Sequence, residues 1–229
     1  CSSDLKQFAE LCGLPIMSWS VMAFDRAPSV SSIVIVCAPD KVSAVQQEVL
    51  SRLTLAKPVG FAPSGATRQD SVYSGLQAVP RDAALVAVHD SARPLVEVDS
   101  IERCCATVRA DASLAGAICA NRSVDTLKLV EGNKIVATPN REFYWVAQTP
   151  QVFYAKPLMA AYKAALWEGF AGTDDASLVE RHGGTVECVE CPRDNIKVTV
   201  PEDLAVAAAT MEQRLVEEGC GRRYGRDPQ

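Results

Sequence analysis

The densest group of reactive side chains in this sequence is His89-Asp90-Ser91-Ala92-Arg93-Pro94. An apolar run, Ala84-Leu85-Val86-Ala87-Val88, leads straight into it. A run this short, with no polar alternation, reads as a strand buried on both faces, as in parallel sheets. Open α/β sheets bind ligands just beyond the carboxyl ends of their strands. A carboxylate, Asp90, and a guanidinium, Arg93, at such an end suit an anionic ligand. They read equally well as an ion pair inside the turn that stops the strand.

Three further clusters share this character. Lys6-Gln7 places a cation near the start. Ser64-Gly65-Ala66-Thr67-Arg68-Gln69-Asp70-Ser71 sets glycine, small residues and hydroxyls ahead of a helix, so its amides can approach an anion or a nucleotide. Thr67 or Ser64 would cap that helix in any case. Arg193-Asp194-Asn195-Ile196-Lys197-Val198-Thr199 holds a lysine between apolar residues. Facing a cleft, Lys197 is a point charge for phosphate; on an edge strand, it blocks aggregation. Smaller signals are Thr126 and Arg141 at the two ends of a hairpin, and Thr173-Asp174-Asp175-Ala176-Ser177, a helix start whose acids suit capping first and the lining of a pocket second. Thr149-Pro150-Gln151 puts proline inside a strand, which points to an edge or to a close ligand.

Cations and hydroxyls dominate these clusters: Lys6, Arg68, Arg93, Arg141, Lys197, Ser71, Thr126 and Thr149. Few candidate general bases accompany them. That mixture fits transfer between phosphates, where catalysis is mainly positioning and charge neutralisation. Hydride transfer fits poorly, since no G-x-G-x-x-G is present. His89 and His182 have no ligand-spaced partner and no serine or cysteine motif beside them, which argues against a histidine-dependent hydrolase.

The elements that must position these residues alternate. An extended piece over 8–12 precedes a helix over 15–25. Strands are predicted over 32–37, 59–62, 84–88 and 115–120, separated by helices over 38–53, 68–78 and 97–111, with Asp99 capping the last. This order predicts a parallel sheet with helices on both faces. Residues 121–141 break the rhythm: short strand runs over 126–130 and 134–138 flank Glu131-Gly132-Asn133, a hairpin signal. Such an insertion serves as an active-site flap or a dimerisation arm. A strand over 146–152, helices over 155–168 and 174–181, a strand over 185–190, a loop and short strand over 194–199 and a helix over 201–218 follow. The tail 219–229 is polar and reads as frayed.

Size and composition suit one globular domain spanning 1–229. Of 229 residues, 48% are hydrophobic and 22% charged, enough for a substantial core. The formal charge of -5, without a basic block, disfavours broad nucleic-acid binding but not a nucleotide in a local basic pocket. No apolar run approaches the roughly 18 residues of a membrane helix, and no signal peptide is visible. Nine scattered cysteines read as reduced, mostly buried thiols in the cytoplasm. Cys188 and Cys191 have C-x-x-C spacing, but they lie on a strand and no second pair completes a zinc set.

Seven motifs, in order, carry a resemblance: TRQDSV at 67–72, HDSARP at 89–94, VDTLK at 124–128, NR at 140–141, TPQ at 149–151, TDDAS at 173–177 and DNIKVT at 194–199. Together they resemble the 2-C-methyl-D-erythritol 4-phosphate cytidylyltransferases of non-mevalonate isoprenoid synthesis, over nearly the whole chain. The resemblance implies a Rossmann-like nucleotidyltransferase fold: a mainly parallel twisted sheet, helices on both faces and an inserted β-arm that interlocks a homodimer. It implies transfer of CMP from CTP to methylerythritol phosphate with a divalent cation, usually magnesium, whose ligands remain unknown. By motif match, Lys6 stabilises transition-state charge. Gly65, Ser71 and Ser91 contact the nucleotide. Asp90 and Arg93 lie where nucleotide and methylerythritol phosphate meet. Thr126 and Arg141 reach the sugar phosphate from the arm, and Thr149 contacts substrate. Lys197 positions the attacking phosphate and touches the nucleotide.

Two departures bear on this. The family opens with an apolar strand and a glycine-rich loop, roughly A-A-G-x-G-x-R-x-G, ahead of P-K-Q. Here Asp4-Leu5-Lys6-Gln7 stands almost at the start, with Leu5 in place of the proline. An omitted segment is expected rather than a chain unable to bind triphosphate, because the other site positions are retained together. The family's glycine pair is Ser64-Gly65 here. Two rival readings stay open: a ribitol-5-phosphate cytidylyltransferase, which the small Ser91-Ala92 pair disfavours, and a non-catalytic nucleotide-binding dimer.

Overall fold

The computed structural model describes residues 7–217. Lys6 and the tail 219–229, both singled out from the sequence, lie outside the described residues.

The chain opens with two short paired strands, β1 (Glu10–Leu11) and β2 (Leu14–Pro15), then α1 (Ile16–Arg26). Pro15 is the residue before the helix, where its missing N–H is harmless. β3 (Ile33–Cys37) and β4 (Val59–Pro63) form a parallel pair. The helical stretch 39–52 between them is irregular: only α2 (Val42–Ala44) is α-helical, and a wider π turn follows at Val45–Val49. That turn still buries Val45 and Val49, as the apolar spacing required. α3 (Arg68–Ala78) starts on a capping box: Thr67 accepts from the Asp70 amide, and Asp70 accepts from the Thr67 amide.

A four-stranded sheet in the order β10-β6-β9-β5 carries the rest. Its strands are β5 (Leu85–Val88), β6 (Leu114–Arg122), β9 (Trp145–Tyr154) and β10 (Thr185–Glu190). β10 is parallel to β6, and β9 is antiparallel to both its neighbours, β6 and β5. Three strands therefore run one way and β9 alone is reversed. The expectation of a strand buried on both faces over 84–88 is corrected. All four residues of β5 stay partly exposed, and among the described residues its strand partner is β9. Pro150 does not mark an edge either, because β9 lies between β6 and β5. It sits where the β6 register shifts between Ile118 and Ala120, so the missing N–H breaks no ladder.

Side chains alternate across this sheet, and each face has its own core. Ala117, Cys119 and Val152 meet Ile101, Cys104 and Val108 of α4 (Val98–Ala110). Glu97 precedes α4 and makes no side-chain cap, so the capping role expected of Asp99 is corrected to a first-turn acid facing the helix dipole. On the other face, Ile118 and Phe153 pack with Leu158 and Tyr162 of α5 (Ala155–Glu168), and with Leu178 of α6 (Asp175–Arg181). Gly116 is required here, since a Cβ would fall 2.1 Å from the Phe153 ring. Each such buried Leu, Ile or Phe contributes roughly 1.5–3 kcal/mol. α7 (Pro201–Glu217) packs Ala207 and Met211 against Leu11, Leu14 and Leu95.

The hairpin is present as β7 (Leu129–Glu131) and β8 (Lys134–Ala137), with Gly132 at φ 59°. Residues 194–199 contain no strand, contrary to expectation. Their tie to the fold is one backbone bond, Val198 N–H to Ala92 C=O at 2.8 Å, and side-chain contacts.

Candidate active site

β5 ends at Val88, and a turn over 90–93 follows, closed by Arg93 N–H to Asp90 C=O at 2.9 Å. Around the Asp90 carboxylate stand three cations. Lys197 Nζ is 2.8 Å from Oδ2, Arg68 Nε is 3.3 Å from Oδ1, and Arg93 Nε is 3.9 Å from Oδ2. Residues 22 and 107 positions apart in the chain from Asp90 thus converge beyond the carboxyl end of one strand. Burial alone would raise the Asp90 pKa, but Lys197 and then Arg68 outweigh it and hold the carboxylate below its usual range.

Arg68 has a second anion. Its guanidinium forks onto Asp175, Nη1 to Oδ1 at 3.2 Å and Nη2 to Oδ2 at 2.7 Å. Asp175 is fully buried and also accepts from the Tyr162 hydroxyl. Burial, then the Asp175 charge, raises the Tyr162 pKa, so this hydroxyl stays a donor. Sequence reading placed Asp175 among capping acids. In fact Asp174 caps α6, accepting from Ser177 N–H, and leaves Asp175 free to point inward. The doubled Asp174-Asp175 was the available signal, since one cap needs only one acid.

Arg93 is nearly buried, with its side chain 12% exposed. Nη1 donates to Asn195 C=O at 2.8 Å, while Nε has no hydrogen-bond acceptor. Burial pulls its pKa down against the opposing pull of Asp90. Asn195 in turn donates to Thr149 C=O (2.9 Å) and Gln148 Oε1 (3.0 Å), which fixes the backbone just ahead of Lys197. Thr149 Oγ1 meets Asp90 N–H at 3.1 Å and His89 Nδ1 at 3.0 Å. The supporting roles of His89, Gln148 and Asn195 follow from no local pattern, because these contacts cross from strand to loop.

Gly65 and Ser71 come together one turn away. Gly65 N–H donates to Ser71 Oγ at 3.0 Å, and Ser71 Oγ–H donates to Thr67 C=O at 2.9 Å. A Cβ at Gly65 would fall 2.3 Å from Asp70 Cβ, so the loop folds back as only glycine permits. Arg68, first residue of α3, links this loop to Asp90. Ser91 sits partly exposed in the 90–93 turn. Thr126 and Arg141 stand apart on the exposed hairpin base, where Arg141 donates to Val124 C=O.

Arg68, Arg93 and Lys197 against Asp90 and Asp175 leave one positive charge in excess. Arg93 Nε–H is buried without an acceptor, whereas the Lys197 ammonium is half-exposed and makes the excess charge reachable, a seat for an anion. It is not a seat for a metal on its own. The Asp90 oxygens are held by Arg68 and Lys197, and those of Asp175 by Arg68 and Tyr162. Among the described residues no three His, Cys, Asp or Glu side chains group to hold an ion.

A family model for 2-C-methyl-D-erythritol 4-phosphate cytidylyltransferase matches residues 2–213. The chain belongs to the methylerythritol phosphate cytidylyltransferase family. A relative of that name from Caldanaerobacter subterraneus is 39% identical over 203 residues, covering 88% of each chain. Another, from Geobacter metallireducens, is 39% identical over 213 residues, covering 92% of this chain and 90% of its own. Among solved structures, 4-diphosphocytidyl-2C-methyl-D-erythritol synthase from Anaerococcus prevotii superposes with a TM-score of 0.81 at 27% identity, covering 89% of this chain and 88% of that one. The cytidylyltransferase from Thermus thermophilus gives 0.75 at 29% identity, over 90% and 93%. Membership in the cytidylyltransferase family agrees with the mixed α/β sheet.

Proposed function

We propose that this chain transfers CMP from CTP to 2-C-methyl-D-erythritol 4-phosphate, giving CDP-methylerythritol and diphosphate. The supporting observation is the convergence of Arg68, Arg93 and Lys197 on Asp90 at a strand end. Two relatives that bear this activity as their name are 39% identical to it over 203 and 213 aligned residues. The attacking phosphate is already anionic, so no general base is needed. The barrier lies in bringing two anions into line, and it falls when fixed cations offset their repulsion. Lys197 is a half-exposed point charge held beside Asp90 and suits the attacking phosphate. Arg93, nearly buried behind Asp90, adds positive charge to the same place. The Gly65–Ser71 loop and Ser91 present amides and hydroxyls to the nucleotide. Lys6 would add charge from outside the described residues. A divalent cation, implied by resemblance, finds no cage among the described carboxylates; magnesium commonly binds through substrate phosphates instead.

The hairpin suits a homodimer. Leu129, Ile135 and Phe143 are 59%, 62% and 80% exposed, and a lone two-stranded ribbon is at best marginally stable in water. A second copy would cover these residues, and Thr126 and Arg141 would then reach sugar phosphate in its site or their own. The free thiols of Cys104, Cys119 and Cys191 suit a reducing cytoplasm. No helix among the described residues is long and apolar enough to cross a membrane.

Incubating the full chain with CTP, magnesium and either methylerythritol phosphate or ribitol 5-phosphate tests the reading. Diphosphate release with methylerythritol phosphate alone is expected. Release only with ribitol 5-phosphate, or with neither, would overturn it.

A further inference from the structure

The turn that carries Asp90 and Arg93 is held through its backbone by a ring that has no place in the phosphate chemistry. His89 Nε2 lies 3.2 Å from Arg93 C=O, and His89 Nδ1 lies 3.0 Å from Thr149 Oγ1. The same Oγ1 lies 3.1 Å from Asp90 N–H. A carbonyl only accepts, so Nε2 must bear the proton. In a neutral ring Nδ1 is then an acceptor, and Thr149 Oγ–H supplies it. Thr149 Oγ1 keeps a lone pair for Asp90 N–H. Every donor in this chain has one acceptor, and both ends of the turn are tied to one imidazole.

Neighbouring contacts agree. Ser20 Oγ–H from α1 also donates to Arg93 C=O, at 3.2 Å, so this carbonyl is fully used. Phe24 of α1 lies against the imidazole, ring centroids 5.1 Å apart, and fixes its plane. Burial, with Arg93 nearby, disfavours the charged ring and pushes its pKa down to about 4, against the pull of Asp90. Protonation would turn Nδ1 into a donor facing a hydroxyl that already receives Asp90 N–H.

We propose that His89 is a positioning residue for the transfer reaction, fixed as the neutral Nε2–H tautomer, and that it acts through Thr149 to set the Asp90–Arg93 turn. Its bearing on catalysis rests on the transfer reading above; its tautomer and links do not. His89 touches no phosphate. It determines where the Asp90 amide and the Arg93 carbonyl sit, and through them where the two charged side chains point. A misplaced catalytic group commonly lowers rates by an order of magnitude or more.

Two measurements decide this. The first is a long-range proton–nitrogen spectrum of the full labelled chain, which holds only two histidines; a His182→Gln variant assigns them. His89 should show the neutral Nε2–H pattern throughout pH 6 to 8. An Nδ1–H or charged pattern would overturn the proposal, whatever the enzyme assay gives. The second is steady-state kinetics of Thr149→Val, Thr149→Ser, His89→Phe and the Thr149→Val/His89→Phe double variant, each checked for folding by thermal melting. Thr149→Val and His89→Phe should each lower kcat/KM for methylerythritol phosphate by about tenfold or more. Thr149→Ser should restore most of it, and the double variant should be no worse than the poorer single one. Additive losses, or losses that merely follow the melting temperature, would refute positioning. A wild-type chain inactive on both substrates would refute the transfer reading instead, while the spectrum would still judge the tautomer.

Discussion

Lys197 Nζ and Asp90 Oδ2 are 2.8 Å apart, although 107 positions separate the two residues. The lysine side chain is 42% exposed and the aspartate 18%. The carboxylate is therefore the anchored partner and the ammonium the one that faces solvent. Asp90 acts as a placeholder anion that holds Lys197, Arg68 and Arg93 around one point. Changing Asp90 to Asn should loosen all three and raise KM for both substrates, measured by initial rates across a substrate grid.

The Arg68–Asp175 fork makes a different prediction. Asp175 is fully buried, so removing its cation strands a charge in the core. Arg68→Met should destabilise the chain by about 3–5 kcal/mol in urea unfolding. Adding Asp175→Asn should recover part of that loss, because a neutral amide needs no counter-charge. A double variant as unstable as Arg68→Met would contradict this account.

The His89 ring gives stability a pH dependence. Its folded pKa of about 4 lies below the ordinary 6.5, so the unfolded chain takes the proton first. The associated stability is fully present above about pH 6.5 and is lost as pH falls toward 4. The shift amounts to at most about 3.5 kcal/mol. Urea midpoints of the wild type should fall across this window, and those of His89→Gln should fall less.

The glycine loop is tested by size alone. Gly65→Ala puts a methyl 2.3 Å from Asp70 Cβ and must move the loop off the α3 start. KM for CTP should rise several-fold, while KM for methylerythritol phosphate changes little. Equal shifts in both would argue that the loop serves no nucleotide.

Much of this architecture was legible in the sequence because it is local. α3 spans 68–78 as its capping residues and spacing required, and the hairpin formed around Gly132. What escaped depended on partners far along the chain. β5 reads as a fully buried strand from its apolar run, yet its four residues stay partly exposed, and nothing local tells that it pairs with the reversed strand β9. Pro150 signals an edge until the β6 register shift that accommodates it is known. The 194–199 run looks extended by alternation, but Arg93, Gln148 and Thr149 hold it as a loop instead. Asp90, Arg93 and Lys197 were chosen as site residues from type and motif, and they meet. Arg68 belongs to a cluster legible as a ligand loop and Asp175 to an acidic helix start, but nothing local pairs them, because their fork spans 107 positions.

The account stands or falls on cations that let two phosphates meet, and Lys197 carries that claim most directly. Diphosphate release by wild type and Lys197→Ala should be compared at saturating CTP and methylerythritol phosphate, with both proteins shown to melt alike. Turnover lower by on the order of a hundredfold in Lys197→Ala is the predicted result. Turnover within a factor of about two of wild type would contradict it.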